Sequence, residues 1–244
     1  MSVSFHNGVS GMLASQEGMN RISHNIANSG TVGFKPERSE FESLLYSHMA
    51  VNSPDAPMTG HGTRIGDPGV IMRQGAVIST GRSTDFALMG DGFFAVKDEN
   101  GEIKYTRNGN FHISVERDRK YLVSADGSHV LDGRKRPVEL SSDDDFQNIA
   151  DEIGIYDFSN PFGLVPQTGS MFKPTESSGE AQAVQIGKVK GNRNYRVISG
   201  ALEQSAVELS DEMVNVIVTQ KNFQLSARVV QTSDEMEQII NNLR

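Results

Sequence analysis

Apolar side chains recur at steps of four and three through residues 1–30: Phe5, Val9, Met12, Met19 and Ile26, with Gln16 and Ser23 as the polar members of the series. Leu13 and Ile22 widen the stripe. This spacing puts one face of a helix in register. The helix is expected to stop at Ser29-Gly30, where glycine takes the left-handed cap conformation. The same period returns over 201–244, through Val207, Val214, Val218, Leu225, Val229, Met236, Ile239 and Leu243. No Gly or Pro follows Gly200. A helix of about forty residues spans roughly 60 Å, and Thr232-Ser233-Asp234 is the candidate for a local break.

Between the helices the pattern changes twice. Residues 31–80 carry Pro36, Pro54, Pro57 and Pro68 among several glycines, and read as an extended, bridging linker in which Phe41 to Tyr46 forms a turn or two of helix. Residues 81–200 read as strands and turns. Phe86 to Met89 and Phe93 to Val96 flank Gly90-Asp91-Gly92, and Tyr121 to Val123 and His129 to Leu131 flank Asp126-Gly127, a hairpin signal. Ile153 to Phe158 and Ala183 to Val189 read as further strands, and Asp143 to Asp145 as a solvated loop or helix start. The expectation is an α+β chain. A terminal helix at each end (1–30 and 201–244) forms a coiled-coil-like layer, a linker spans 31–80, and a mostly β domain spans 81–200. Heptad-like stripes can pack within one chain or between copies. Two amphipathic ends detached from a β core bury little by themselves, which favours association between copies.

Composition narrows the chemistry. The net charge of −8 argues against nucleic-acid binding. The chain has no Cys, so disulfides, thiolate catalysis and Cys-ligated metals are excluded. No apolar run is long enough to cross a membrane. The N-terminus shows neither a basic n-region nor an apolar h-region, so no cleaved signal peptide is expected. By these measures the chain reads as soluble and cytoplasmic. The histidines His6, His24, His48, His61, His112 and His129 form no metal-binding pair spacing. No G-x-S-x-G elbow occurs, and the glycines at 60, 62 and 66 lack the Gly-Lys-Ser/Thr ending of a phosphate loop. No catalytic residue, cofactor or metal is expected.

The stretch Ala27-Asn28-Ser29-Gly30-Thr31-Val32-Gly33-Phe34-Lys35 resembles the signature of the bacterial flagellar rod and hook axial proteins, whose fixed positions fall on Ala27, Asn28, Thr31, Gly33, Phe34 and Lys35. Similar blocks follow at Phe41 to Tyr46, Asp85 to Val96, Tyr105 to Phe111 and Ser210 to Met236. The length and the Phe41–Tyr46 segment are most like the rod proteins, the distal rod protein especially. The resemblance implies a structural subunit of the basal-body rod, exported through the flagellar type III apparatus. It would assemble in the cell envelope with itself and with neighbouring rod and hook proteins, without membrane insertion. This moves the expected location from the cytoplasm to the basal body. A proximal rod protein, a hook-type subunit and a glycan-binding β module are the alternatives. Gly33 and Phe34 are expected to supply a fixed turn and a buried aromatic anchor. Phe5, Val9, Met12, Met19, Ile26, Val214, Val218, Leu225, Val229, Met236, Ile239 and Leu243 are expected to form the helix-packing seam.

Overall fold

A computed structural model describes residues 3–48, 58–67, 69–116, 119–140, 146–184 and 195–243. The chain folds as two compact units that do not follow the four consecutive sequence blocks. One comprises Met1–Ala27, Glu37–Gly69 and Glu208–Arg244; the other comprises Asn28–Pro36 and Val70–Val207.

The first unit is built on two helices, α1 (Val3–Ala27) and one of 34 residues at Leu209–Asn242. The second helix starts at Leu209 rather than near 201, because Ala201–Glu203 is a strand paired with Val77–Ser79. It runs unbroken through Thr232-Ser233-Asp234. There the Thr232 hydroxyl donates to the Arg228 carbonyl at 3.0 Å and so stays within the helical ladder. Asp211 and Glu212 in its first turn complement the helix dipole. α1 carries Gly8, Gly11 and Gly18 in its interior, each about 1 kcal/mol worse than Ala by propensity. Its stability therefore comes from packing. Phe41 to Tyr46 is not helical: Phe41–Ser43 pairs antiparallel with Thr63–Ile65, and Tyr46–His48 with Met58–Gly60. A segment this short cannot nucleate a helix alone, and the ladder satisfies its backbone groups instead.

The second unit is an antiparallel sheet ordered Phe111–Glu116, Arg119–Ser124, His129–Val130, Phe93–Lys97, Ile103–Thr106, Met171–Lys173, Val165–Gln167. Ile155–Asp157 also pairs with Phe93–Lys97 and with Gln182–Val184. The Asp126-Gly127 turn closes as expected, with Val123 opposite His129. The calls on Asp143 to Asp145 and on residues 185–189 lie outside the described residues. A short helix α2 occupies Phe146–Glu152, so the long C-terminal helix is α3. Phe93–Lys97 sends alternate side chains to opposite faces. Phe94 and Val96 join a cluster with Phe86, Phe111, Leu122 and Ile155. Phe93 and Ala95 join another with Tyr105, Tyr156, Phe158 and Phe172. Burial on both faces explains the uninterrupted apolar run 93–96.

Candidate assembly site

The family-like stretch ends α1 at Ala27 and continues as a loop in the second unit. Thr31 N–H donates to the Asn28 carbonyl at 3.1 Å, and the Thr31 hydroxyl to Asn28 Oδ1 at 3.0 Å. The left-handed glycine is Gly33, with φ 67°, and Gly30 is not in that region. Gly33 N–H donates to the Glu203 carbonyl at 2.8 Å. A Cβ at this position would stand 2.7 Å from both Arg107 C and Asn108 N. Gly33→Ala therefore combines a disfavoured backbone conformation with a collision against backbone that cannot step aside. The expected loss is roughly 2 kcal/mol or more, read as a lowered urea midpoint with an unchanged slope.

Phe34 is half-buried rather than a fully enclosed anchor, and its carbonyl accepts from Ala206 N–H at 3.0 Å. Lys35 is the buried charged residue of the motif, 4% exposed. Its Nζ donates to Glu203 Oε1 at 2.6 Å and to the Arg73 carbonyl at 2.5 Å. Glu203, 0% exposed, also accepts from Arg107 Nη1 at 3.2 Å and from Gly75 N–H at 2.9 Å. Arg107 lies over the Phe93 ring, 5.1 Å from its centroid. Two buried cations thus share one carboxylate. Burial pushes the Lys35 ammonium below its ordinary range; Glu203 raises it and Arg107 lowers it further. Burial likewise lowers Arg107, against the pull of Glu203. Lys35 and Arg107 lie in family-like blocks, whereas their shared partner Glu203 lies outside those blocks, 168 residues from Lys35. Lys35 is the one charged residue of an otherwise uncharged motif, which is the signal the sequence offers.

In the first unit α1 and α3 pack antiparallel. Gly11 faces Ser226, Gly18 faces Thr219, and Asn25 bonds to Glu212, seven residues forward on one helix for seven back on the other. At Gly8 a Cβ would meet Val230 Cγ2 at 2.7 Å and the Ser226 carbonyl at 3.2 Å, so the close approach depends on glycine. This contact is centred beside the four-and-three series rather than on it, and of the stripe only Ile22 is buried. On α1 the buried residues are Gly8, Ala14, Ser15, Gly18, Ile22 and Asn25; all but Ala14 lie one position before members of the predicted series, and Phe5, Val9, Met12, Met19 and Ile26 are half-buried. On α3 the buried residues are Glu212, Thr219 and Ser233, and Thr219 lies one position after Val218 of the apolar series. Val214, Val218, Leu225, Val229, Met236 and Ile239 on the helix, and Leu243 just beyond it, are exposed. One residue is about 100° of helix rotation.

Asn25 fastens this unit. Its amide donates to the Glu37 carbonyl at 2.9 Å and to Glu212 Oε1 at 2.8 Å, while its Oδ1 accepts Glu37 N–H at 2.9 Å. Asn25→Ala strands a buried carboxylate and two backbone groups. It is expected to cost about 2–3 kcal/mol, measured as a shift of the helical melting curve.

Comparison with known proteins fits this arrangement. Residues 198–243, which hold Glu203 and α3, match the family described as flagellar basal body rod FlgEFG protein C-terminal. Residues 87–156, which hold Arg107, match the flagellar hook protein FlgE/F/G D1 domain. The chain is 35% identical to flagellar basal-body rod protein FlgG of Borreliella burgdorferi, with 96% of each chain covered. The chain belongs to the flagellar basal-body rod protein family. A second rod-family relative, FlgG of Bacillus subtilis, is 32% identical over 99% of this chain and 98% of its own. The flagellar hook-basal body complex protein FlhP of Bacillus subtilis is 25% identical over 94% of each chain. Among the described residues no helix is long and apolar enough to cross a membrane, and no cluster of His, Asp and Glu is arranged to hold a metal.

Proposed function

We propose that this chain is a structural subunit of the flagellar basal-body rod, and that it polymerises by covering the exposed apolar face of α3 with the helices of neighbouring copies. The single observation that carries this reading is that face, whose apolar side chains from Leu209 and Met213 to Ile240 and Leu243 are exposed among the described residues. Ala14 and Ile22 are the only fully buried apolar residues of the first unit among those described. A core this small leaves the helices dependent on partners. A repeated heterologous contact that does not close generates a helical tube. Such a tube would pass motor torque to the hook. Neighbouring rod and hook proteins are the expected partners at its ends, and the type III apparatus is the expected export route.

The test is assembly of the purified full chain, followed by electron microscopy and by localisation of a labelled copy in isolated basal bodies. Tubes, and label in the rod, are the expected results; monomers at every concentration, or label elsewhere, oppose the reading. The end helices are also expected to be partly unfolded before assembly. The far-ultraviolet helical signal per residue should therefore rise on polymerisation, and a constant signal removes this part of the account.

A further inference from the structure

The contact between α1 and α3 leaves an apolar stripe on each helix, and the two stripes face opposite ways. Gly11 meets Ser226, Gly18 meets Thr219 and Asn25 meets Glu212. On α1 the stripe residues Met12, Met19 and Ile26 each follow one of these contact residues. On α3 the stripe residues Val218 and Leu225 precede Thr219 and Ser226. One residue is about 100° of rotation, so the stripe lies that far onward from the contact on α1 and that far back from it on α3. The helices are antiparallel, so the sense of rotation seen from one end reverses between them. Onward on one and back on the other are therefore opposite sides of the helix pair. Gln16 and Ser23 are exposed on the first side, and Val218, Leu225 and Val229 on the second.

The polar members of the α3 stripe are not alike. The Thr232 hydroxyl is already bonded to the Arg228 and Val229 carbonyls, at 3.0 and 3.1 Å, so an apolar neighbour can cover it at little cost. Asn222 stands between Val218 and Leu225, exposed, and its side-chain amide has no hydrogen-bond partner among the described residues. A neighbour that covers the stripe has to supply one, because an amide buried without a partner is costly. On α1 the matching polar member is Gln16, between Met12 and Met19 at the same steps of four and three. Its Nε2 donates to Asn20 Oδ1 in a long surface contact of 3.4 Å, and its Oε1 has no partner among the described residues. The α1 stripe is also free of charge. Glu17 and Arg21 are the only acidic and basic residues of α1 apart from its histidines, and they pair with each other at 3.1 Å. Glu17 lies one residue before Gly18, on the side away from Met19.

We propose that the α3 stripe of one copy is covered by the α1 stripe of the next, with Asn222 hydrogen-bonded to Gln16 of that copy. The stripes lie on opposite sides of one helix pair, so the contact is heterologous and repeats without closing on a dimer. In such a contact each residue meets a different residue of the neighbour, which excludes Asn222 as its own partner. Within the chain, the pairs Gly11 with Ser226 and Gly18 with Thr219 set Ser15 against residue 222. A copy stacked level with the first, in the same orientation, keeps that count. It brings Gln16 beside Asn222, Met12 beside Leu225 and Met19 beside Val218. The Asn222 amide then fixes the register, as a lone polar residue does in an apolar helix seam. This inference rests on the polymer reading above and adds to it the covering surface and its register.

The chain has no native cysteine, so single-cysteine variants report contacts between copies. Full chains of Gln16→Cys and of Asn222→Cys are mixed, polymerised and treated with a short bis-maleimide. The expected product is a cross-linked pair in the mixture, with little in either variant alone. Polymer of the mixture without the cross-link, or equal cross-linking in Asn222→Cys alone, overturns the contact and leaves the assembly reading standing. Asn222→Ala, Gln16→Ala and the double variant read the register. Both positions are exposed in the free chain, so the melting curves should not change. Each single substitution should raise the concentration needed for polymer by about tenfold. The double variant should raise it by about the same factor rather than by the product of the two. A double variant that multiplies the two effects, or single variants that polymerise as the unmodified chain does, overturns the pairing. Failure of the unmodified chain to polymerise removes both this inference and the reading it rests on.

Discussion

Glu203→Gln is expected to destabilise the second unit by roughly 3–5 kcal/mol, because it leaves two buried cations facing a neutral amide. Lys35 and Arg107 both point their charge at this one carboxylate, at 2.6 and 3.2 Å. The glutamine oxygen can accept from one of them, and its NH₂ then opposes the other or Gly75 N–H. Lys35→Met is expected to be milder, about 1–2 kcal/mol. It leaves the Arg107–Glu203 pair intact and removes an ammonium that burial and Arg107 both push below its ordinary range. The double variant Lys35→Met/Glu203→Gln should therefore recover part of the loss caused by Glu203→Gln alone, a non-additive outcome typical of residues sharing one network. Thermal melts measure all three, with a drop on the order of 10 °C for Glu203→Gln. A Glu203→Gln protein that melts with the wild type means that the cluster contributes nothing to the fold.

Substituting Glu at Val218, Leu225 or Val229 is expected to abolish polymerisation while leaving the monomer's stability within about 0.5 kcal/mol. These residues are 51%, 58% and 44% exposed, so a carboxylate there remains hydrated in the free chain. In a polymer the same carboxylate would be buried against apolar side chains at every subunit interface, at several kcal/mol each. Light scattering and electron microscopy read assembly; swimming of cells carrying the variant as their only copy reads function. If all three variants still build tubes and support swimming, the face that meets neighbouring copies lies elsewhere on the helix. Asn25→Ala gives the contrast, since it acts on the packing inside one chain.

The difference between these two classes of substitution shows where sequence reading stops. The four-and-three spacing from Phe5 to Ile26 and from Val214 to Leu243 identifies helices and an apolar stripe without knowledge of any neighbour, because side-chain direction on a helix follows from its 3.6-residue turn. It does not say what covers the stripe. Within the chain α1 and α3 meet along a face one residue away, lined by Gly8, Gly11, Gly18, Thr219 and Ser226. Backbones can approach only where side chains are small, and hydrophobicity ranks such positions low. Phe41 to Tyr46 departs from the helical expectation for a related reason: the ladder partners, Thr63–Ile65 for Phe41–Ser43 and Gly60 for Tyr46, are distant in the chain and carry no local signal.

The sequence by itself therefore determined the local facts: two amphipathic ends, a β region punctuated by Asp-Gly and Asn-Gly turns, the absence of cysteine chemistry, and a motif with a glycine at its bend and a lysine at its close. The tertiary structure decided which groups meet. It gave Lys35 its carboxylate at Glu203, set the phase of the α1–α3 contact, and left the apolar face of α3 bare. Local conformation follows from near-neighbour sterics and periodicity. Burial, charge pairing and surface exposure depend on residues far apart in the chain, and those are settled only once the backbone has closed around them.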